Sequence, residues 1–292
     1  VRFATPRPRS AEVSIPSTLT TDLGDALRGA GLPIRQVVVV GTDALLAGDR
    51  EVPGWEDAIE ALGSLFDVCT SQQVDFVWRT RGGINGSLPY PLQRALAAAG
   101  DLITVEVGLP SLRPSLCQEL EGGGTAAPEQ RLRLLSALAT RGVNSRVLVE
   151  PLVPMLNDQP AEIEALLQAL ADAGVHRAAV RYLVLTRARV KLLTHRLSRM
   201  HRALVQGLFS GQPWGHGEEP QKVLPPTLRA RGHLRARSVG ARVGVVVDVL
   251  DPVLPEEAAP VLAEEQAETE APRGRRRGRR ERPQLDLFRA RR

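Results

Sequence analysis

Few residues in this chain have the types and spacing that redox or metal chemistry needs. The 292 residues include two cysteines, Cys69 and Cys117, which stand far apart and outside any CxxC spacing. Zinc sites and disulfide frameworks are built from clustered or paired cysteines, so neither is indicated. His195 and His201 are six residues apart, which does not place them on one face of a helix. The sequence also lacks a P-loop, a GxGxxG run and a Ser-His-Asp arrangement.

The polar residues of most interest stand where predicted strands end. The apolar runs at residues 36–40 and 74–79 are typical of parallel strands that are buried on both faces. In βα barrels, ligand-binding groups lie at the carboxyl ends of such strands. The charged residues that we expect inside a pocket or on its rim are Asp43, Arg81, Glu106 and Arg131. The alternative is that these four side chains are helix caps and surface salt bridges.

A predicted strand, helix and strand occupy residues 103–158, the central block of the chain. The block opens on a short strand run and then passes a glycine-rich break. Thr125 and Pro128 follow the break as a capping residue and a first-turn proline, and leucines at helical spacing come after them. The apolar run at 146–150 predicts the next strand. Pro151 ends that strand because proline cannot donate a ladder hydrogen bond. We expect Asp158 to cap the next helix, over 160–173.

This block resembles the radical S-adenosylmethionine (radical SAM) superfamily, and within it the branch of spore photoproduct lyase. The resemblance is carried by a turn serine, a short helix that closes on glutamate, a proline followed by an Arg-Leu helix start, a Gly-Val turn and a Pro-x-x-Pro-x-x-Asn-Asp run. Here these features read Ser111, Glu121, Pro128, Arg131, Leu132, Gly142, Val143, Pro151, Pro154, Asn157 and Asp158. Two positions depart from the pattern, since Gly108 stands where it has serine and Gly122 where it has proline.

The resemblance implies an α/β fold, namely a partial (β/α)6 TIM-type barrel of the radical SAM kind. Five strands, each followed by a helix, are predicted, which suits a parallel series. The superfamily's barrel has six such units, and this sequence matches units two to six, so we expect the first to be missing. A further strand at 243–249 would close the barrel edge. Residues 190–208 are predicted as one helix, with Met200 facing inward and Arg189 and Arg196 on a solvated basic face; the alternative for that face is a nucleic-acid contact. The expected divisions are a barrel over 1–210, a C-terminal extension over 211–251 and a disordered tail over 252–292.

The resemblance also implies two cofactors, S-adenosylmethionine and a 4Fe-4S cluster held by cysteines in a CxxxCxxC spacing. No three cysteines of this chain have that spacing, so we expect that it does not bind the cluster alone. The cofactor-binding positions that the resemblance indicates are Gly41, Thr42, Asp43, Thr80, Arg81, Ser111, Arg131 and Pro151. Arg81 stands where the family has lysine, and a guanidinium can still hold a carboxylate. The residues at 44–47 lack the family's Pro-Tyr-Gln-Pro.

The composition predicts a soluble cytoplasmic protein with a sizeable core. Hydrophobic residues make up 43% of the chain, and no apolar run approaches the ~20 residues that span a bilayer. The net charge is +5, but the ten arginines and two acidic residues of 271–292 give that stretch a charge of +8 and leave −3 for the rest. The basic character therefore belongs to the tail.

A short motif near the end of the chain predicts a protein partner. Residues 284–288 read Gln-Leu-Asp-Leu-Phe, which looks like the pentapeptide that docks bacterial polymerases and repair proteins on the sliding clamp. The residues expected to bind the clamp are Gln284, Leu285, Leu287 and Phe288, and those expected to contact DNA phosphates are Arg275, Arg276 and Arg277. The alternative is that the apolar residues of the motif pack back on the barrel.

Two functions remain open from the sequence. The first is radical SAM chemistry associated with DNA repair, similar to a lesion lyase, with the cluster supplied by residues outside this chain. The second is a non-catalytic barrel that acts as a binding module associated with DNA and the sliding clamp.

Overall fold

The computed structural model describes residues 2–4, 11–12, 36–40, 46, 55–215 and 219–251. Three predicted cofactor-binding residues, Gly41, Thr42 and Asp43, lie outside the described residues. The predicted tail over 252–292 also lies outside them, with the candidate clamp motif and its arginines.

A sheet of eight strands is the frame of the described part of the chain. Two short strands at one edge, β1 (Arg2–Ala4) and β2 (Ala11–Glu12), pair antiparallel. The others are β3 (Gln36–Val39), β4 (Asp75–Thr80), β5 (Ile103–Gly108), β6 (Ser145–Leu152), β7 (Arg177–Tyr182) and β10 (Val246–Val249). These six lie in the order β3, β4, β5, β6, β7, β10, and each neighbouring pair is parallel. A parallel sheet wound in chain order confirms the predicted α/β fold.

Eight α-helices are described, together with a short 3-10 helix (Gly100–Leu102). The α-helices are α1 (Trp55–Ser71), α2 (Tyr90–Ala99), α3 (Pro114–Glu121), α4 (Pro128–Ala139), α5 (Pro160–Asp172), α6 (Arg187–Arg196), α7 (Arg199–Phe209) and α8 (Pro226–Val243). Five of them carry proline in the first turn, where its missing N–H has no intrahelical partner to lose and its fixed φ suits the helix. A two-stranded sheet of β8 (Leu185–Thr186) and β9 (Gln221–Lys222) flanks α6 and α7.

Two predicted helix caps are wrong. Thr125 does not cap α4, because its hydroxyl donates to the Gly122 carbonyl. The Gln130 side chain instead accepts from the backbone N–H of Ala127, the residue before the helix. Asp158 does not cap α5 either, since Gln159 is the residue at that position.

The single helix predicted over 190–208 is two helices. The break falls at Leu197 and Ser198, and the Ser198 hydroxyl accepts from His201 N to start α7. Met200 faces solvent and is 73% exposed, contrary to the prediction that it points inward. The break sets α6 and α7 as separate elements, and α6 then packs beside α3.

The two faces of the parallel sheet differ in chemistry. On one face the side chains of β4 to β7 enter the hydrophobic core under the helices, among them Trp78, Val107, Val149 and Val180. Successive side chains of a strand point to opposite faces, so the residues between them lie on the other face. Those residues include Arg79, Glu106, Glu150 and Arg181. No helix among the described residues is long and apolar enough to cross a bilayer.

Candidate functional site

A cavity of about 490 Å³ lies at the carboxyl ends of the parallel strands. Strands β4 to β7 supply one wall, and α3 and α6 supply another. Its lining residues are Val40, Arg79, Thr80, Arg81, Gly108, Leu120, Glu121, Leu148, Glu150, Pro151, Arg181, Tyr182, Arg189, Leu192, Leu193 and Arg196. Its volume is within the range of small-molecule sites, ~300–1,000 Å³. It is also on the side of a βα sheet where ligands bind.

A row of charges on β4, β5 and β6 includes one residue of the cavity lining, Arg79. Glu106 on β5 is 1% exposed and lies between two arginines on the adjacent strands. Arg79 Nε and Nη2 donate to Glu106 Oε2 over 2.8 and 2.6 Å, and Arg146 donates to Oε1. Because both oxygens of the carboxylate are used, Glu106 holds Arg79 at the cavity rather than facing a ligand itself.

Three of the predicted cofactor-binding residues line the cavity: Thr80, Arg81 and Pro151. Thr80 ends β4, is 1% exposed, and its Oγ1 accepts from Gly82 N over 2.9 Å. That bond turns the chain away from the sheet directly after Arg81. Arg81 is solvent-accessible, so its guanidinium can meet a ligand.

Arg131, another predicted cofactor-binding residue, lies behind the cavity wall. Its side chain is fully buried, and it forms a two-pronged ion pair with Glu121, with nitrogen to oxygen distances of 3.1 and 2.6 Å. It also donates to the carbonyls of Gly108 and Ala126. With these contacts Arg131 joins the start of α4 to the end of β5 and to α3, so it positions the wall and does not reach a ligand.

At each of the two positions that depart from the family pattern, an arginine side chain packs against the glycine. A Cβ added to Gly108 would lie 2.9 Å from Arg81 Cγ. A Cβ added to Gly122 would lie 2.5 Å from Arg196 Cζ, and Gly122 also has φ +94°. Glycine at both positions therefore leaves the space in which the two arginines lie along the cavity.

The Pro-x-x-Pro-x-x-Asn-Asp run folds the loop after β6. Asn157 accepts from Val153 N over 2.7 Å and donates to the carbonyls of Pro110 and Pro151 over 2.8 and 3.0 Å. It thereby ties the ends of β5 and β6 together. Ser111 is buried beside this junction, and its Oγ accepts a hydrogen bond from Arg113 N over 3.0 Å. Ser111 does not line the cavity.

Asp158 completes the same loop. Its Oδ1 accepts from Met155 N over 2.8 Å and its Oδ2 from the Tyr182 hydroxyl over 3.1 Å. Burial, and after it the Asp158 charge, raises the pKa of Tyr182, so this phenol stays protonated and donating. Asp158 thus links the loop after β6 to the end of β7, another strand at the cavity.

The residues that sequence analysis missed are those of α6. Arg189, Leu192, Leu193 and Arg196 follow one face of this helix and line the cavity. Their spacing of three, four and seven residues is the helical signal that indicates a shared face. The prediction of one long helix placed Arg189 and Arg196 on a solvated face instead.

The cavity is rich in positive charge. Arg79, Arg81, Arg181, Arg189 and Arg196 line it, against Glu121 and Glu150. Desolvation, followed by repulsion from Arg181, lowers the pKa of Arg189. The field inside the cavity therefore favours a ligand that carries negative charge.

The cysteines do not fit an iron-sulfur cluster. Cys69 and Cys117 are 1% and 2% exposed, and burial raises their pKa values to about 12 and about 11. A cluster needs thiolates grouped together, and no metal-binding group of His, Cys, Asp or Glu exists among the described residues. The described part of the chain thus offers no ligand set for the cluster, whereas the cavity suits a charged small molecule.

The structure is similar to solved structures of spore photoproduct lyase. A single-residue variant of that enzyme aligns with 79% of this chain and 66% of its own, with a TM-score of 0.59 and 13% identity. Another variant, solved with bound AdoMet and dinucleoside spore photoproduct, aligns with 73% of this chain and 60% of its own, with a TM-score of 0.56. The fold is therefore similar to that of spore photoproduct lyase. The α/β barrel predicted from the sequence is confirmed by this similarity.

Sequence comparison finds relatives without an assigned activity. No family model matches the chain. Uncharacterized proteins of Mycobacterium tuberculosis and Mycobacterium bovis are 28% identical to it over 163 residues, which is 50% of this chain and 47% of theirs. The chain spans about half the length of these curated relatives.

Proposed function

We propose that this chain is a radical SAM protein of the spore photoproduct lyase kind and that its cavity binds S-adenosylmethionine. The observation that supports this most is the cavity at the carboxyl ends of the strands, with Thr80, Arg81 and Pro151 in its lining. These are three of the positions that the family resemblance assigns to the cofactor. They are brought together from β4 and β6, which are far apart in sequence.

The cavity offers a partner for each part of that ligand. Arg81 can hold the carboxylate with two parallel hydrogen bonds. Glu150 faces the cavity from β6, and its Oε2 lies 2.5 Å from Arg181 Nη2. The other carboxylate oxygen of Glu150 can accept a hydrogen bond from the ligand's ammonium group. Val40 and Leu148 supply apolar surface for the adenosine.

Calorimetric titration with S-adenosylmethionine tests this assignment. We expect measurable binding to the wild-type chain, and binding weaker by about tenfold or more in Arg81→Gln, because a charged hydrogen bond is lost. Arg94→Gln removes the same charge from an exposed position on α2 and should bind like wild type. Absence of binding at millimolar ligand, or equal affinity in Arg81→Gln and wild type, would contradict the proposal.

The proposed reaction class is lyase-like chemistry on damaged DNA, with the cluster cysteines supplied by residues outside this chain. Support comes from the fold and from the two buried, separate thiols. Anaerobic reconstitution of the chain with iron and sulfide should leave no stoichiometric iron. Stoichiometric iron and sulfide that persist after Cys69→Ala and Cys117→Ala would overturn that expectation.

A non-catalytic binding module is the second candidate, and the burial of both cysteines favours it. In that case the segment with Gln284, Leu285, Leu287 and Phe288 docks on the bacterial sliding clamp, and Arg275, Arg276 and Arg277 contact DNA phosphates. Replacing Leu287 and Phe288 with alanine should abolish clamp binding without changing the melting temperature, because apolar anchors dominate small interfaces. A melting temperature several degrees lower would mean that the two side chains pack on the barrel.

A further inference from the structure

The cavity has a cationic wall that the three matched cofactor positions do not use. It is formed by Arg189 and Arg196 of α6 and by Arg181 at the end of β7, which also pairs with Glu150. Arg189 and Arg196 are seven residues apart on the cavity side of the helix, which separates them by about 10 Å along its axis. That distance allows two separate contacts with one extended ligand.

The position of Arg196 is set by its surroundings. Its Nη1 donates to the Glu121 carbonyl over 2.9 Å, which holds the guanidinium at the end of α3. Both of its terminal nitrogens would lie within 2.7 Å of a Cβ on Gly122. A side chain at that position would displace the guanidinium, so the glycine and the arginine form one local arrangement.

The two helix arginines have hydrogen-bonding capacity left for a ligand. In the described part of the chain, neither Arg189 nor Arg196 makes an ion pair with a carboxylate. Arg189 Nη1 donates to the Val184 carbonyl over 3.2 Å, and Arg196 donates to the carbonyl named above. Each guanidinium carries five N–H donors, so most of them remain available.

An exposed leucine lies between these charges. Leu192 is 50% exposed and lines the cavity between Arg189 and Arg196 on the same helix. An inorganic anion gains nothing from such a surface, whereas the sugar or base of an organic anion does. Planar guanidinium groups match the oxygens of phosphate in pairs.

We propose that Arg181, Arg189 and Arg196 form a subsite for a phosphate ester, with Leu192 against its organic part. The inference rests on the proposed function, since it assigns the ligand chemistry of the same cavity outside the S-adenosylmethionine positions. Two sources share this chemistry: the backbone of a nucleic acid strand and a phosphorylated small molecule.

Calorimetry with three probes tests the subsite. The probes are a 5′-phosphorylated thymidine dinucleotide, ribose 5-phosphate and inorganic phosphate, each titrated at low salt. We expect one or both esters to bind more tightly than inorganic phosphate. The double variant Arg189→Gln, Arg196→Gln should weaken the tighter ester by about tenfold or more. Preference for the dinucleotide would indicate a strand as the source, and equal or better binding of ribose 5-phosphate a small molecule.

The matched control is Arg133→Gln with Arg199→Gln. It removes the same charge from exposed positions on α4 and α7 outside the cavity lining. A further variant, Gly122→Ala, should weaken ester binding by displacing Arg196. If Gly122→Ala does not fold, Arg196→Lys, which keeps the charge and loses the paired geometry, should show an intermediate loss.

Three outcomes would overturn the subsite. They are no ester binding to wild type at millimolar concentration, equal loss in the control variant, and unchanged affinity in the double variant. S-adenosylmethionine is titrated on the same samples. Because its binding depends on Arg81 in the proposed function, retained S-adenosylmethionine binding without ester binding would reject the subsite alone. Loss of both would reject the proposed function with it.

Discussion

The two faces of the parallel sheet show how one set of strands can serve stability and binding separately. On β5 the alternating residues are Val105 and Val107 on one face and Glu106 on the other, and the valines are 0% exposed. The first face packs on the helices, while the second carries charged side chains, some of which line the cavity. Parallel strands are commonly apolar on both faces. The charged face is therefore a departure that binding explains better than packing.

The contrast between the faces also shows how charged side chains can be buried with little loss of stability. Glu106 takes hydrogen bonds from two arginines, and Arg131 pairs with Glu121. Removing one partner of the buried Arg131–Glu121 pair would leave a charge that neither water nor protein compensates. The paired residues thus form a rigid support for the cavity, whose lining includes Arg81 and the arginines of α6.

The largest effect is expected on the apolar face. Trp78 on β4 is 0% exposed and lies 6.2 Å from Phe66, measured between ring centroids. Trp78→Ala should lower the free energy of unfolding by about 3–5 kcal/mol, because the space it leaves does not collapse. Denaturant unfolding measures this change. Trp214→Ala, at a partly exposed position beside Arg187, should cost less than about 1 kcal/mol.

Equal losses of unfolding free energy in Trp78→Ala and Trp214→Ala would show that the apolar face contributes no more to stability than the surface does. A loss below about 1 kcal/mol in Trp78→Ala would have the same consequence.

The thiol under the apolar face should give a smaller effect that depends on pH. Burial raises the pKa of Cys69 from 9.0 to about 12, so the folded state keeps a proton that the unfolded state loses. Stability is present below pH 9 and falls as the pH rises from there toward the folded pKa. Between pH 9 and 11 the free energy of unfolding should fall by about 2 kcal/mol less in Cys69→Ala than in the wild-type chain.

Urea unfolding at several pH values measures that slope. The comparison of slopes, rather than of absolute stabilities, cancels the packing change that alanine introduces. Parallel curves for Cys69→Ala and wild type would show that the thiol is accessible to water and that this part of the core is open.

The smallest stability effect is expected on the charged face. Glu106→Gln removes the charge between Arg79 and Arg146, whose side chains are 31% and 27% exposed. Water screens these arginines, so the loss should be about 1 kcal/mol. Ligand binding should change more than stability, because Arg79 is no longer held at the cavity.

A matched comparison uses Asp172→Asn, which removes an exposed acid on α5 that pairs with Gln168. It should change neither stability nor binding. If Glu106→Gln is as destabilising as Trp78→Ala, the charged face is part of the folding core and the contrast between the faces fails.

Local patterns in the sequence predicted the strands well. The runs at 36–40, 74–79 and 146–150 are strands within a few residues, because an apolar run between turn residues has few other structures available. Thr80, Arg81 and Pro151 reached the cavity for a related reason, since residues that follow parallel strands meet at one edge of the sheet.

Features that depend on tertiary contacts were not predicted. Asp158 has the sequence position of a helix cap, but its carboxylate bonds to Tyr182 and Met155. Arg131 lies behind the wall because Glu121, on another helix, faces it. The cavity side of α6 was missed for the same reason: spacing shows that Arg189 and Arg196 share a face, but not what that face meets.

The most direct test of the central claim, that the charged face ends in a ligand site, is hydrogen–deuterium exchange with and without S-adenosylmethionine. Bound ligand should slow exchange of the backbone amides at 79–83, at 148–152 and along α6, because these segments line the cavity. The amides of α1 and α2, which are not in its lining, should be unchanged. Absence of any protection at saturating ligand, or protection confined to α1 and α2, would contradict the claim.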